Sequence, residues 1–298
     1  MVLNRHSPLP ALLVLLWLAL GDIRAATPAT PATPATETTP LFNGHSLAGW
    51  KTWLVDTRDA DPRGVFSVTN GLLRISGDGL GYLGTTSEHH HYRLTVQWRW
   101  GTRNTHWGDR IGKARDSGLF LHATGPDGNS HDGHGAFMAA IECNIFQGAV
   151  GDFLLIRGTN ATGALIAPSV TVTADAERDH EGWLRWSPHG SPQTIHTWGR
   201  VNHLGKDPAW RDVLDFRSAN DPEHAAGEWN TLVCEAFEDR LRILVNGRVV
   251  NEASNVSPRR GRILLQCEGS EIFFRRVELS PLTHWPTAPP DVPHVEVK

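Results

Sequence analysis

Apolar and polar residues alternate along most of this chain, and this period of two constrains the fold more than any other feature. The segment from Tyr92 to Trp100 reads YRLTVQWRW, so its apolar side chains share one face and its polar side chains share the other. Turn signals recur about every ten residues. With 40% hydrophobic and 20% charged residues, the chain is expected to fold as an all-β domain with a buried core.

The clearest hairpin lies at 240–250, where Asn246 and Gly247 supply the positive φ angles of a type I′ turn. Short connections predict that the neighbouring strands join this hairpin in one antiparallel meander. These neighbouring strands are predicted at 229–237, 261–267 and 272–279.

Two more strands are predicted at 117–122 and 139–146, separated by a loop rich in glycine, aspartate and histidine. Only 208–216 suggests a helix, because a proline is followed there by apolar residues at helical spacing. Many strands, glycine-rich turns and a single core favour a two-sheet sandwich of the jelly-roll kind.

Both ends of the chain are predicted to lie outside the folded domain. Residues 1–25 have the pattern of a signal peptide, because the apolar run at 11–20 is too short to span a membrane. Residues 26–40 are a linker rich in threonine, proline and alanine, 41–283 form the domain, and 284–298 form a tail. We therefore expect a secreted or periplasmic protein without a membrane span.

Composition narrows the class of partner. A net charge of -4 offers nothing that would draw the protein to nucleic acid or to an anionic membrane, so we expect an uncharged partner. The chain has 12 tryptophans, which can fill a core or stack on a sugar; Trp183, Trp186 and Trp198 are candidates for stacking. Its three cysteines form no metal motif and are expected to be buried thiols.

Six segments between Leu41 and Leu282 carry a family resemblance: LFNGHSLAGW, ARDSGLFLH, IECNIFQG, GEWN, ILVNGRVV and ILLQCEGSEIFFRRVELSPL. In this order they resemble the 3-keto-disaccharide hydrolase domain family. The resemblance implies a concanavalin-like jelly roll of two antiparallel sheets that cleaves glycosides oxidised to a ketone at C3. Such a ketone acidifies the C2 hydrogen, so a positioned base can remove it and expel the glycosidic oxygen from C1; direct hydrolysis of the glycosidic bond is the alternative route.

Two predicted strands carry side chains suited to this chemistry. Glu142 and Asn144 share one face of the strand at 139–146, and Asp116 and His122 share one face of the other. A carboxyl group in an apolar strand needs partners or a wet cleft, and imidazole is a natural base near neutral pH. Glu142 and His122 are therefore the predicted catalytic residues.

The predicted substrate-binding residues are Asp116, Asn144, Gln147 and Gln97. Related sequences carry glutamate where this chain has Gln147, which weakens a mechanism that needs two acids. A divalent cation is left open, with Glu142 and His122 as candidate ligands, because oxygen and imidazole donors suit several such ions. The alternative function is a non-catalytic carbohydrate-binding module of the same fold, because a fold does not dictate chemistry.

Overall fold

Twenty β-strands and one 3₁₀ turn (Trp107–Asp109) form the regular structure of the described residues, 37–131 and 134–287, in this computed structural model. In chain order, the strands of the first half are β1 (Thr39–Pro40), β2 (Trp50–Leu54), β3 (Phe66–Thr69), β4 (Leu72–Ile75), β5 (Leu80–Thr85), β6 (Tyr92–Asn104), β7 (Asp116–Thr124), β8 (Ala139–Phe146), β9 (Phe153–Ile156) and β10 (Gly158–Thr159). The others are β11 (Leu165–Ile166), β12 (Ser169–Ala174), β13 (Leu184–Arg185), β14 (Ser191–His196), β15 (Gly199–Asn202), β16 (Asn230–Phe237), β17 (Arg240–Val245), β18 (Arg248–Ser257), β19 (Arg262–Glu268) and β20 (Ser270–Pro281).

Two large sheets make up the sandwich. The ten-stranded sheet has the order β14-β12-β18-β17-β16-β6-β20-β4-β3, with β1 paired to β20. The eight-stranded sheet has the order β13-β15-β9-β8-β7-β19-β5-β2, and its two-residue pair β13–β15 is parallel. A separate ribbon joins β10 and β11. The predicted all-β jelly-roll sandwich is confirmed, with this one parallel pair added to otherwise antiparallel sheets.

The core lies between the inner faces of the two sheets. Leu94, Val96 and Trp98 of β6 are fully buried there in the same cluster as Ile141 and Cys143 of β8. Burial of each such large apolar side chain contributes about 1.5–3 kcal/mol. All three cysteines are free and buried, as predicted. Because the odd-numbered residues of β8 face this core, its even-numbered residues face outward.

The hairpin prediction is confirmed, and the predicted meander is correct for β16, which pairs with β17, but wrong for β19 and β20. Asn246 and Gly247 have φ angles of 48° and 82° in the turn between β17 and β18. However, β19 lies in the eight-stranded sheet, between β7 and β5, whereas the hairpin belongs to the other sheet. Alternation indicates which face of a strand is apolar, but in a sandwich both sheets turn an apolar face to the same core.

The predicted helix at 208–216 is absent, and the segment consists of turns. Tertiary contacts hold it instead: Trp210 Nε1 donates to the Gln147 carbonyl at 3.0 Å, and Asp215 forms an ion pair with Arg115 at 2.6 Å. The backbone of Asp215 has a φ of 59°, which no α-helix accommodates. A nine-residue helix without a partner is marginal in any case.

The domain boundaries extend slightly beyond the prediction. Thr39 pairs with Leu279, so the sheet begins two residues before position 41. At the other end, the Arg240 guanidinium lies 4.0 Å from the centre of the Trp285 ring, which belongs to the predicted tail. Residues 1–36 and 288–298 are outside the described residues, so the predictions for these parts stand as predictions. None of the described helical structure could cross a bilayer.

Candidate functional site

A cleft of about 250 Å³ opens on the outer face of the eight-stranded sheet. Its polar floor comes from four strands of that sheet. These polar residues are Asp116, Glu142, Asn144, Arg200, Gln266 and Glu268. Aromatic and aliphatic side chains form the walls, and His131 and Arg157 also line the cleft. The apolar residues are Phe137, Phe146, Leu154, Ile156 and Trp198.

Strand register explains why these side chains converge. Leu154 of β9 pairs with both Glu142 of β8 and Arg200 of β15, which places the carboxyl and guanidinium groups in one row across the sheet. On the other side, Asp116 of β7 pairs with Phe146. Side chains directly opposite each other in paired strands share a face. The structure thus brings Glu142, Asn144 and Asp116 together, as the alternation predicted.

The pKa values of two cleft acids are shifted by their surroundings. Glu142 is 3% exposed, and burial together with the nearby Glu268 raises its carboxyl pKa well above the usual range. Burial and Glu268 likewise raise the pKa of Asp116, although the Arg110 guanidinium, 3.7 Å away, opposes this effect. Carboxyl groups with raised pKa values can hold and exchange protons near neutral pH, which is what general acid–base chemistry requires.

A buried ion cluster holds the Arg200 guanidinium at the cleft. Arg200 Nε donates to Asp152 Oδ2 at 2.8 Å, and the Lys206 ammonium lies 3.1 Å from the same oxygen. Burial alone would raise the pKa of Asp152, but Lys206 and Arg200 lower it below its usual range. Asp152 therefore carries a negative charge beneath the floor of the cleft, and its ion pair holds the Arg200 guanidinium close to the cleft acids.

Two buried amide oxygens of the cleft have no hydrogen-bond partner among the described residues. They are Asn144 Oδ1 and Gln266 Oε1, and each residue is 3% exposed. A buried acceptor without a partner costs roughly 1–3 kcal/mol. Such atoms in a cleft are suited to accept hydrogen bonds from the hydroxyl groups of a sugar or from a protonated neighbour.

Gly118 provides the space for the Glu142 carboxyl group. Gly118 pairs with Asn144 on the floor, and a Cβ atom at this position would lie 2.3 Å from Glu142 Oε1 and 2.7 Å from Gln266 Oε1. These distances are far below van der Waals contact. The carboxyl and amide groups therefore lean over the same bare stretch of backbone.

The prediction that His122 shares a face with Asp116 is wrong. Pairing in β7 shifts between Leu121 and Thr124, and His122 has a φ of 55°, which marks a bulge that turns its side chain inward. Its Nδ1–H donates to the Pro258 carbonyl at 2.8 Å, and its ring centre lies 5.8 Å from that of Tyr92 in the core. Burial lowers the pKa of His122 to about 4.

Two predicted substrate-binding residues also lie outside the cleft. Gln97 is on the outer face of the ten-stranded sheet, where it accepts a hydrogen bond from Arg275 at 2.9 Å. Gln147 follows β8 and is buried, and its amide oxygen accepts from Arg115 at 3.2 Å and its amide nitrogen donates to Asp215 at the same distance. Gln147 thus anchors the segment that was predicted to be helical.

The three tryptophans proposed to stack on a sugar lie in different environments. Trp198 is 53% exposed and lines the cleft just before β15. Trp186 is buried in the core, and Trp183 is not among the residues that line the cleft. An exposed indole beside a polar floor is the arrangement that sugar-binding proteins use for the C–H face of a pyranose.

Comparison with known sequences identifies the family. Residues 37–280 match the family described as the 3-keto-alpha-glucoside-1,2-lyase-like domain. The chain belongs to this family. The match covers all of the sandwich except the last residue of β20, and it includes every strand that contributes to the cleft. A search of the curated proteins found no match.

Solved structures show distant similarity to this lyase-like domain. A candidate glycosyl hydrolase from Parabacteroides distasonis is 15% identical with a TM-score of 0.46, and the alignment covers 82% of this chain and 94% of that one. A Bacillus licheniformis beta-glucanase is 13% identical with a TM-score of 0.42, with 82% and 97% covered. The carbohydrate-binding module CBM66 of Bacillus subtilis is 13% identical with a TM-score of 0.39, with 77% and 93% covered.

Sequence reasoning missed three polar groups of the lyase-like domain: Arg200, Gln266 and Glu268. The last two follow the same pattern as Glu142 and Asn144, because Leu265-Gln266-Cys267-Glu268 alternates apolar and polar residues just as Ile141-Glu142-Cys143-Asn144 does. Arg200 had no comparable signal, since it lies on a four-residue strand in a segment without clear period. Glu268 places a further carboxyl group in the cleft, besides those of Glu142 and Asp116.

The candidate metal ligands do not meet. Glu142 faces the cleft and His122 faces the opposite side of the sheet, so the two cannot share one ion. Within residues 37–131 and 134–287, no group of three or more His, Cys, Asp or Glu side chains is arranged to hold a metal ion. The residues of the cleft are suited to proton transfer, with a guanidinium group available for a developing negative charge.

Proposed function

We propose that this protein is an exported enzyme that cleaves 3-keto-glycosides by 1,2-elimination. The observation that carries the proposal is the row that places the buried Glu142 carboxyl group in one cleft with Arg200. The family description, a 1,2-lyase-like domain, supports elimination over direct attack of water. In this scheme Glu142 alone acts as the base, and His122 has no catalytic role.

In the first step, Glu142 acts in its ionised form, which the nearby Arg200 guanidinium favours, and its carboxylate accepts the C2 proton of the bound sugar. The electron pair of the C2–H bond forms a C2–C3 double bond, and the C3 carbonyl oxygen becomes an enolate oxygen. The Arg200 guanidinium stabilises this charge, and Asp152 behind it holds the guanidinium in place. A preorganised cation in a water-poor cleft is a large source of rate enhancement.

In the second step, the C3 carbonyl forms again, the electron pair moves into a C1–C2 double bond, and the C1–oxygen bond breaks. Asp116 donates the proton that the leaving oxygen needs, since burial and the nearby Glu268 raise its pKa and so favour its protonated form. The products are a free alcohol or sugar and an unsaturated 3-keto sugar. No covalent enzyme intermediate is needed.

The decisive assay uses a 3-keto-glycoside with a nitrophenyl leaving group, so that cleavage releases a coloured phenol. We expect release from the oxidised glycoside, none from its unoxidised parent, and a loss of about 10³-fold or more in Glu142→Gln, because that change removes a general base. Glu177→Gln is the matched control, because Glu177 is exposed and does not line the cleft. Full activity in Glu142→Gln would contradict the assignment of the base.

The same assay separates the enzyme from the alternative, a carbohydrate-binding module. Trp198 would serve either function. If wild-type protein binds the 3-keto-glycoside and never releases phenol, the binding module is correct and the enzyme is not.

Export is the remaining part of the proposal. Expression of the full-length chain should yield a mature protein that begins near Ala26 and is recovered outside the cytoplasm. An intact Met1 on protein recovered from the cytoplasm would contradict export.

A further inference from the structure

Gln266 links two acids of the cleft through its amide group. Its Nε2 donates to Glu268 Oε2 at 2.7 Å. This bond fixes the orientation of the amide, because the reversed amide would set its oxygen against a carboxylate oxygen. Gln266 Oε1 must therefore point away from Glu268.

Gln266 Oε1 and Glu142 Oε1 lie on the same side of Gly118. Both Gln266 Oε1 and Glu142 Oε1 lie over Gly118, at 2.7 and 2.3 Å from the same point where a Cβ atom would be. Gln266 Oε1 is buried and has no partner among the described residues. The two oxygens are therefore no more than about 5 Å apart in a buried place, where a hydrogen on one of them would let it donate to the other.

We propose that Gln266 is a positioning residue that holds a proton on Glu142 in the free enzyme: its amide oxygen accepts a hydrogen bond from the protonated Glu142 carboxyl group while its amide nitrogen donates to Glu268. The chain of contacts runs from the Glu142 hydroxyl, through the amide, to the Glu268 carboxylate. It satisfies the buried amide oxygen and fixes the direction in which the Glu142 carboxyl group points. This inference rests on the proposed role of Glu142 as base.

The charged groups around Glu142 influence whether its carboxyl group keeps this proton. Glu268 on β19, Asp116 on β7 and Asp152 after β8 favour the neutral acid, whereas Arg200 on β15 favours the carboxylate. His131 and Arg157 are the other titratable or charged groups that line the cleft. The proposed hydrogen bond from Glu142 to Gln266, which only the neutral acid can donate, raises the pKa of Glu142 further. Glu142 then becomes a stronger base at the pH where it ionises.

The variant that tests this inference is Gln266→Met, which keeps the length of the side chain and removes both amide functions. We expect the acid limb of the kcat/KM profile, measured with the nitrophenyl 3-keto-glycoside, to move to lower pH by about one unit. Gln97→Met on the other sheet is the matched control, and its acid limb should coincide with that of the wild type. A merely structural role for Gln266 would lower thermal stability or raise KM and leave the acid limb in place.

A readout without substrate separates this inference from the proposed function. In a difference spectrum of wild type minus Glu142→Gln at neutral pH, the infrared carbonyl band of the protonated Glu142 carboxyl group should appear, because the bands of the other protonated carboxyl groups cancel. In Gln266→Met the band should weaken or move to higher frequency, because its hydrogen bond is gone. An unchanged band and an unchanged acid limb in Gln266→Met would overturn the inference even if Glu142 proves essential. Conversely, a Glu142-dependent band in a protein that cleaves no 3-keto-glycoside would uphold the hydrogen bond and refute the function.

Discussion

Gly118→Ala should inactivate the enzyme through one misplaced carboxyl group. The new Cβ atom would lie 2.3 Å from Glu142 Oε1, and ordinary contact begins at 3.4 Å, so the oxygen must retreat by about 1 Å. Displacement of a reacting group by about 1 Å costs on the order of 100-fold in rate. We therefore expect kcat to fall by about two orders of magnitude with a smaller effect on KM.

The fold should survive this substitution. Gly118 lies within β7 and is not among the glycines with positive φ, so alanine can adopt its backbone conformation. Alanine also loses less chain entropy than glycine on folding. The overlap involves the ends of two side chains, Glu142 and Gln266, which can rotate away. The melting temperature should thus stay close to that of the wild type.

A double-mutant cycle with the nitrophenyl 3-keto-glycoside tests the reasoning. If Gly118→Ala acts through Glu142, it should reduce activity strongly in the wild type and hardly at all in Glu142→Gln. Equal reductions in both backgrounds would show that alanine acts elsewhere. Undiminished activity of the single variant would show that the position of the Glu142 carboxyl group does not matter for turnover.

Three further predictions concern stability and binding. Burial raises the pKa of Glu223 from 4.5 to about 7, so the folded protein keeps a proton that the unfolded chain releases. In urea titrations, the stability of the wild type relative to Glu223→Gln should therefore fall by about 3 kcal/mol as pH rises from 4.5 to 7. Parallel curves of stability against pH would refute this. Burial lowers the pKa of His122 from 6.5 to about 4, so the stability of the wild type relative to His122→Asn should fall by a similar amount as pH drops from 6.5 to 4. His122→Asn should keep its activity at neutral pH. Loss of that activity would return His122 to the mechanism. Trp198→Ala should raise KM about fivefold, from about 1 kcal/mol of lost stacking, with kcat little changed; an unaltered KM would exclude stacking.

The sequence was sufficient to predict the sandwich and part of the floor of the cleft. Strict alternation in β8 places Glu142 and Asn144 on the outer face because Ile141, Cys143 and Ile145 face the core between the sheets. The same reasoning failed for His122, since a bulge inserts one residue and reverses the face of the residues after it. The alternation of apolar and polar residues in the sequence does not indicate where such an insertion occurs.

Pairing between distant strands was the part that alternation could not supply. Gln97 faces outward as predicted, but from the sheet that does not carry the cleft. Gln266 and Glu268 reach the floor because β19 crosses to the eight-stranded sheet and pairs with β7. Arg200 arrives there by pairing with Leu154, and its place depends on Asp152, a residue about fifty positions away. These contacts are set by tertiary packing, which a single strand does not encode.

Removal of the C2 proton is the central claim, and a substrate labelled with deuterium at C2 tests it most directly. Wild-type protein should cleave the labelled 3-keto-glycoside more slowly than the unlabelled one, and mass spectrometry should find the sugar product without its deuterium. A mixture lacking protein corrects for spontaneous exchange beside the ketone. A product that keeps its deuterium, formed at the same rate from both substrates, would mean that water cleaves the bond directly and that Glu142 does not act as the proposed base.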